Sequence, residues 1–335
     1  MNEKLNCVAA TMGVLRRSCG KAALAGVLIA LCQNIAPSAA AEPLVKRANV
    51  DGITLPYIDH GQGVPVVFVH GEFSDLRAWE RQRESVAGRY RFVSYTQRYF
   101  GSGDWPDAGE SYSFATHVAD LEGFVRQLKA GPVYLVGISY GAAVAIGVAL
   151  SNPELVRGVW AHEPAIGQAL ATGEARSSLE QEQKGLAGAT YAAEAGKVDA
   201  AVRLYSDWTN RRIGGFHELA VNRREMHMAN SRTAPLHLSA RSTPAISCAD
   251  LGRLQPPLVL GTGDATRPYF RLLAETAQRC VPGSQLVVLP RARHDAPNEK
   301  PALFTEELMR FLGTHDRAAS AGCAQPASSR QRAGS

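Results

Sequence analysis

The chain has 335 residues, 45% of them hydrophobic and 20% charged, with a formal net charge of +5. That is enough apolar residue for one large domain, or two ordinary ones, with a sizeable core. The basic residues occur as scattered pairs such as Arg16-Arg17, Arg211-Arg212 and Arg223-Arg224. No clustered face marks a nucleic-acid or membrane-surface binder, and nucleic acid is not expected as a partner.

The first 41 residues read as a secretory signal. Lys4, Arg16, Arg17 and Lys21 precede an apolar run from Ala22 to Cys32, and Ala39-Ala40-Ala41 follows as a small-residue cleavage site. The run is too short to span a bilayer comfortably. A mature chain is therefore expected to begin at Glu42, in the periplasm or outside the cell, with no stable membrane insertion. Cys248, Cys280 and Cys323 remain in that chain. Without a Cys-x-x-Cys pair they predict no metal site. In an oxidising compartment, Cys248 and Cys280 either form a disulfide or stay as two buried thiols.

Val45–Asp59 predicts two short strands around an Asp51-Gly52 turn. Val64–His70 is a continuous β-branched run of the kind buried on both faces of a parallel sheet. Arg91–Thr96 predicts a second such strand. Ser113–Leu128 has helical spacing of its apolar residues. A strand at Val133–Val136, a helix at Tyr140–Leu150 and a strand at Val156–Ala161 continue the alternation. Pro257–Leu260, a helix at Phe270–Arg279, a strand at Gln285–Leu289 and a helix at Pro301–Leu312 complete it. Strands and helices alternating at this spacing predict an α/β fold, a mostly parallel sheet with helices on both faces.

The rhythm breaks over 165–248, a helical stretch rich in Ala, Glu and Arg that is too long for a plain loop. It reads as a helical insertion between two core segments, 42–164 and 249–313. Residues 314–335 lack apolar periodicity and read as a disordered tail.

The chemistry concentrates at Gly137-Ile138-Ser139-Tyr140-Gly141, a Gly-x-Ser-x-Gly elbow between a strand and a helix. Such a turn lifts the serine hydroxyl into a cleft and aims a helix N-terminus at it. Serine is a weak nucleophile and needs a base, which in turn needs an orienting acid. His294, in the loop after the strand Gln285–Leu289, is the candidate base. Asp264, at the carboxyl end of the strand before it, is the first candidate acid, and Glu163, after Val156–Ala161, is the alternative. All of these lie beyond the carboxyl ends of strands, where sites in open α/β sheets form. The oxyanion would be held by the backbone N–H groups of Tyr140 and Glu72, with Phe73 beside the latter.

In this order, His70-Gly71, Gln97-Arg98, Gly101-x-Gly103, the Ser139 elbow, Glu163-Pro164, Gly261-x-x-Asp264 and Arg293-His294 resemble the α/β-hydrolase superfamily of esterases, epoxide hydrolases, dehalogenases and C–C bond hydrolases. The resemblance runs from about Val45 to Leu312. It implies that 165–248 is a helical cap lining the substrate pocket, with Tyr99, Trp105, Trp208 and His227 as possible contacts. Tyr99 departs from the superfamily's pattern, standing where glycine is common.

A serine nucleophile suits acyl transfer and argues against the displacement chemistry of epoxide hydrolases and dehalogenases. The expected activity is cleavage of a small or medium carboxylic ester through an acyl-enzyme. C–C bond hydrolysis, cofactor-free perhydrolase activity and non-catalytic ligand binding are the alternatives. No cofactor is expected, since no dinucleotide fingerprint or metal cluster occurs.

Overall fold

The computed structural model describes residues 44–239 and 244–322, with side chains to residue 316. The proposed leader, Cys323 and the end of the tail lie outside the described residues.

Among the described residues, eight strands form one sheet in the order β1-β2-β4-β3-β5-β6-β7-β8. They are β1 Lys46–Val50, β2 Ile53–His60, β3 Pro65–Val69, β4 Arg91–Tyr95, β5 Val133–Ile138, β6 Val156–His162, β7 Leu258–Gly263 and β8 Gln285–Leu289. Only the pairings of β1 with β2 and of β2 with β4 are antiparallel. Asp51 and Gly52 both take positive φ, 47° and 82°, at the β1–β2 hairpin, where paired left-handed residues match the twist of the strands.

Strand β3 shows why its run carries no polar alternation. Val67 and Val69 enter one core layer while Val66 and Phe68 enter the other. The first layer is covered by α2 Phe114–Gln127, α3 Tyr140–Ser151 and α11 Pro268–Cys280, the second by α1 Glu80–Ala87 and α13 Pro301–Gly322. Helix α1 is an element that the apolar spacing did not predict. Helix α13 also outruns its expected end. The segment after Gly313 continues as helix to Gly322, and Tyr134 of β5 donates to Asp316 at 2.8 Å while His315 packs edge-on against Phe311.

Between β6 and β7 the described residues form helices and turns. They are α4 Gly173–Gln183, α5 Ala187–Glu194, α6 Val198–Thr209, α7 Gly215–Glu218, α8 Val221–Ala229 and α9 Ala234–His237, with α10 Cys248–Leu251 leading back to the sheet. Helices α5 and α6 close over their own small core of Ala192, Ala193, Ala201, Val202 and Phe216, which Phe73 of the main domain joins. Cys248 and Cys280 form a disulfide that ties α10 to the end of α11. Closing a loop of this size restricts the unfolded chain by an amount worth roughly 3–4 kcal/mol. The short helix α12 Ala296–Glu299 follows β8 and leads into α13.

Candidate active site

Ser139 sits between β5 and α3 with φ 54° and ψ −122°, a conformation that a non-glycine residue adopts only under local constraint. The flanking glycines make the turn feasible. A β-carbon on Gly137 would stand 2.5 Å from Cα of Ala142, and one on Gly141 would run into the carbonyl of His70. Ser139 N–H donates to the carbonyl of His162 at 2.9 Å, and Glu163 N–H donates to that of Gly261 at 2.8 Å, so the ends of β5, β6 and β7 are stitched side by side. The helix that follows is buried all round, which fixes the elbow against the sheet.

His294 is in the loop after β8 and lines one cleft with Ser139. Its ring stacks on Phe270 of α11, with centroids 3.8 Å apart and planes 17° from parallel. Its Nδ1 lies 2.6 Å from Oε2 of Glu163. With Nδ1–H donated to that carboxylate, Nε2 is left as the base nitrogen.

The carboxylate that meets His294 is therefore that of Glu163, and Asp264, the first candidate from sequence, does not reach it. Asp264 is exposed, its N–H donates to the carbonyl of Leu289, and its Oδ1 accepts from Arg291 N–H at 2.6 Å. The turn after β7 thus pins this carboxylate to the β8 loop on the outside. Glu163 instead takes φ 45° one residue past β6 and turns inward. Its Oε1 accepts from Thr262 Oγ1 at 3.0 Å and Gly263 N–H at 2.8 Å, and its Oε2 accepts from Thr266 Oγ1 at 2.8 Å as well as from His294. Burial alone would raise its pKa. The hydrogen bond from His294 and the donors around it hold the carboxyl below its ordinary range. The threonines of Gly261-Thr262-Gly263-Asp264-Ala265-Thr266 were the available signal, since they serve the carboxylate on the neighbouring strand.

Glu72 and Tyr140 flank the nucleophile, but with a difference from the expected oxyanion site. Tyr140 N–H opens α3 and has no intrahelical acceptor. Glu72 brings its carboxylate as well as its N–H. Oε2 accepts from Ser139 Oγ at 2.9 Å, and Oε1 lies 3.3 Å from Nε2 of His237 in α9. The Glu72 N–H and the Tyr205 hydroxyl also bond to this carboxylate. Burial would raise its pKa, yet His237 and the hydrogen bonds overcome that and hold it down to about 2. The next residue, Phe73, has φ 50°, so the turn after β3 is as constrained as the elbow. In this arrangement the serine hydroxyl points its proton at Glu72, so a carboxylate stands directly beside Ser139 Oγ.

Helices between β6 and β7 complete the cleft. Arg223 of α8 makes a bidentate pair with Asp295, both bonds at 3.0 Å, beside the base. His227, four residues on, faces the same cleft. A second cavity, bounded by Glu72, Tyr140, Tyr205, Trp208, His237 and Phe270, lies on the other side of the Glu72 carboxylate. Of the residues suggested as pocket contacts, His227 lines the first cavity and Trp208 the second. Tyr99 is buried in an aromatic cluster with Phe100 and Tyr112, against which Trp105 packs, and neither Tyr99 nor Trp105 borders these cavities. His237, Tyr205, Asn210 and Arg223 were not singled out from sequence, because their contacts join positions far apart in the chain. No group of His, Cys, Asp and Glu suited to a metal ion occurs among the described residues.

The model of a family described as "Alpha/beta hydrolase family" matches residues 66–307. A 2-(acetamidomethylene)succinate hydrolase of Mesorhizobium japonicum is 26% identical over 276 residues, covering 80% of this chain and 94% of its own. Among solved structures, a bromoperoxidase from Bacillus anthracis superposes with a TM-score of 0.65 at 19% identity, covering 81% of this chain and 100% of its own. A thermophilic esterase from Thermogutta terrifontis gives 0.61 at 22% identity, covering 81% and 99%.

Proposed function

The chain belongs to the alpha/beta hydrolase family, and on that premise we propose that it is a serine hydrolase cleaving a small or medium carboxylic ester through an acyl-enzyme. The observation that carries this reading is the strained Ser139 elbow in the same cleft as a histidine whose Nδ1 is held by a buried carboxylate. His294 Nε2 would take the Ser139 proton as the hydroxyl attacks the ester carbonyl. The resulting imidazolium, steadied by Glu163, would return that proton to the departing alcohol. Water activated by His294 would then release the acid. Attack requires the serine hydroxyl to leave Glu72 for His294, and requires the Glu72 carboxylate to release the N–H of Glu72.

The experiment is hydrolysis of p-nitrophenyl esters from acetate to dodecanoate by protein beginning at Glu42, with Ser139→Ala as control. Turnover that disappears in the control supports the reading, and the optimal chain length sizes the acyl pocket. Ser139 labelled by a fluorophosphonate without turnover of any ester would favour a second reading, C–C bond hydrolysis or perhydrolysis with the same residues. The bromoperoxidase name of the B. anthracis protein motivates the perhydrolysis arm of that reading. Neither turnover nor labelling would mean a ligand-binding protein.

Export to the periplasm or beyond belongs to the same proposal. The charged, apolar and small-residue order of the first 41 residues supports it, as does the Cys248–Cys280 disulfide, a bond that persists in oxidising compartments. N-terminal sequencing of the protein from a periplasmic extract should read Glu42-Pro43-Leu44. An intact N-terminus in the cytosolic fraction alone would refute it.

A further inference from the structure

The cleft shared by Ser139 and His294 is lined on its cap side by polar groups that hydrolysis does not require. His227 of α8 is partly buried, and both of its ring nitrogens are buried with no hydrogen-bond partner among the described residues. Oδ1 of Asn210, at the end of α6, is likewise buried without a partner, while its Nδ2 donates to the Ser206 carbonyl at 2.8 Å. Both residues line the cavity that holds the nucleophile and base. Buried polar groups are ordinarily paired, so two such residues lining one cavity mark a place where a ligand supplies the missing bonds.

The chemistry of the wall selects the ligand. Burial, then the Arg223 guanidinium, push His227 down to about 3, so near neutral pH it is an uncharged ring with one donor and one acceptor. Asn210 Oδ1 asks for a donor. The nearby cation, Arg223, has two of its N–H groups committed to Asp295. A carboxylate on the substrate would meet the Asn210 oxygen and gain no unspent charge. A neutral group that both donates and accepts, a hydroxyl or a primary amide, satisfies both residues. The side of the substrate follows from His294, the group that protonates the departing alcohol, because it lines this cavity and not the second one.

We propose that His227 and Asn210 form a hydrogen-bonding subsite for a neutral hydroxyl or amide group carried by the leaving group of the substrate. This rests on the serine-hydrolase reading above. The test compares matched butanoate esters that differ only in the terminal group of the alcohol: 2-hydroxyethyl against propyl, 3-hydroxypropyl against butyl, and 4-hydroxybutyl against pentyl. Release of butanoic acid is followed by pH-stat and corrected for each ester's rate with hydroxide.

The subsite predicts that at least one hydroxylated ester is preferred by about tenfold or more in kcat/KM, since a site built around a hydrogen bond rejects the analogue lacking it. In His227→Phe that ratio should fall to about threefold or less. Should this variant not fold, Asn210→Leu is measured in the same way, with the same expected fall. No preference in the wild type at any length overturns the proposal, as does a ratio that survives in the variant. If no ester is cleaved in a Ser139-dependent manner, the reading beneath it falls too, an outcome distinct from cleavage without preference.

Discussion

Two buried glutamates flank Ser139, one past the end of β3 and one past the end of β6, and they bear on the nucleophile in opposite ways. Each lies against a histidine, and each is held below the ordinary carboxylate range by the groups around it. Glu163 is bonded within the main domain, by Thr262, Gly263, Thr266 and His294, so its geometry is set once the sheet forms. Glu72 is bonded across the cleft to His237 of α9 and Tyr205 of α6, in the insertion between β6 and β7. The same pair of residue types therefore holds the His294 ring on one side and accepts the Ser139 hydroxyl on the other. What distinguishes them is whether the partner sits on the rigid sheet or on the insertion.

The sharpest way to break this comparison is to remove the Glu163 charge while keeping its shape. Glu163→Gln should lower kcat for a p-nitrophenyl ester by about 10⁴-fold, because the amide no longer fixes the ring tautomer in which Nε2 is the base. A loss under about tenfold would mean that another group orients His294. Removing the other glutamate should act in the opposite direction. A charge about 4 Å from a developing oxyanion costs on the order of 4 kcal/mol at an effective dielectric constant of 20, so Glu72→Ala should speed fluorophosphonate inactivation of Ser139 by about 10²–10³-fold. Unchanged or slower inactivation would show that Glu72 assists the serine instead.

Acid stability sharpens the contrast. The Glu72 carboxyl falls from an ordinary 4.5 to about 2 in the fold, so between those values the unfolded chain binds a proton that the folded chain does not. Its contribution is complete above about pH 4.5 and is lost as the pH falls toward 2. In Glu72→Gln, the slope of unfolding free energy against pH over that window should therefore flatten by up to about 1.4 kcal/mol per pH unit, measured by urea melts. An unaltered slope would mean that the pair is not held as described. Asp264→Asn should do least. Its exposed carboxylate accepts one backbone bond, and kcat should stay within about twofold, with stability changed by about 1 kcal/mol or less in thermal melts.

Much of this site was legible before any coordinates. The elbow could be read because its glycines, strand and helix are contiguous, and His294 because it lies in the loop directly after the last strand, well before His315. The acid could not be settled the same way. Glu163 and Asp264 both lie one residue beyond adjacent strands, and what separates them is a left-handed turn at Glu163 and a backbone bond that draws Asp264 outward. Nothing in the local pattern encodes either. The Glu72 carboxylate escaped for a related reason. Its position predicted a backbone donor, but its side chain is placed by His237, 165 positions away and on a helix whose docking no periodicity reveals. The run of α13 to Gly322 was hidden by a composition that lacks apolar spacing yet forms helix once Phe311 and Asp316 are anchored.

The identity of the carboxylate that holds the base is the claim on which the rest turns, and proton NMR reads it without any substrate. The short Nδ1–H···Oε2 bond of His294 to Glu163 should give a far-downfield proton resonance, absent in His294→Asn. It should persist in Asp264→Asn and disappear in Glu163→Gln. A resonance that survives in Glu163→Gln and vanishes in Asp264→Asn would contradict the account.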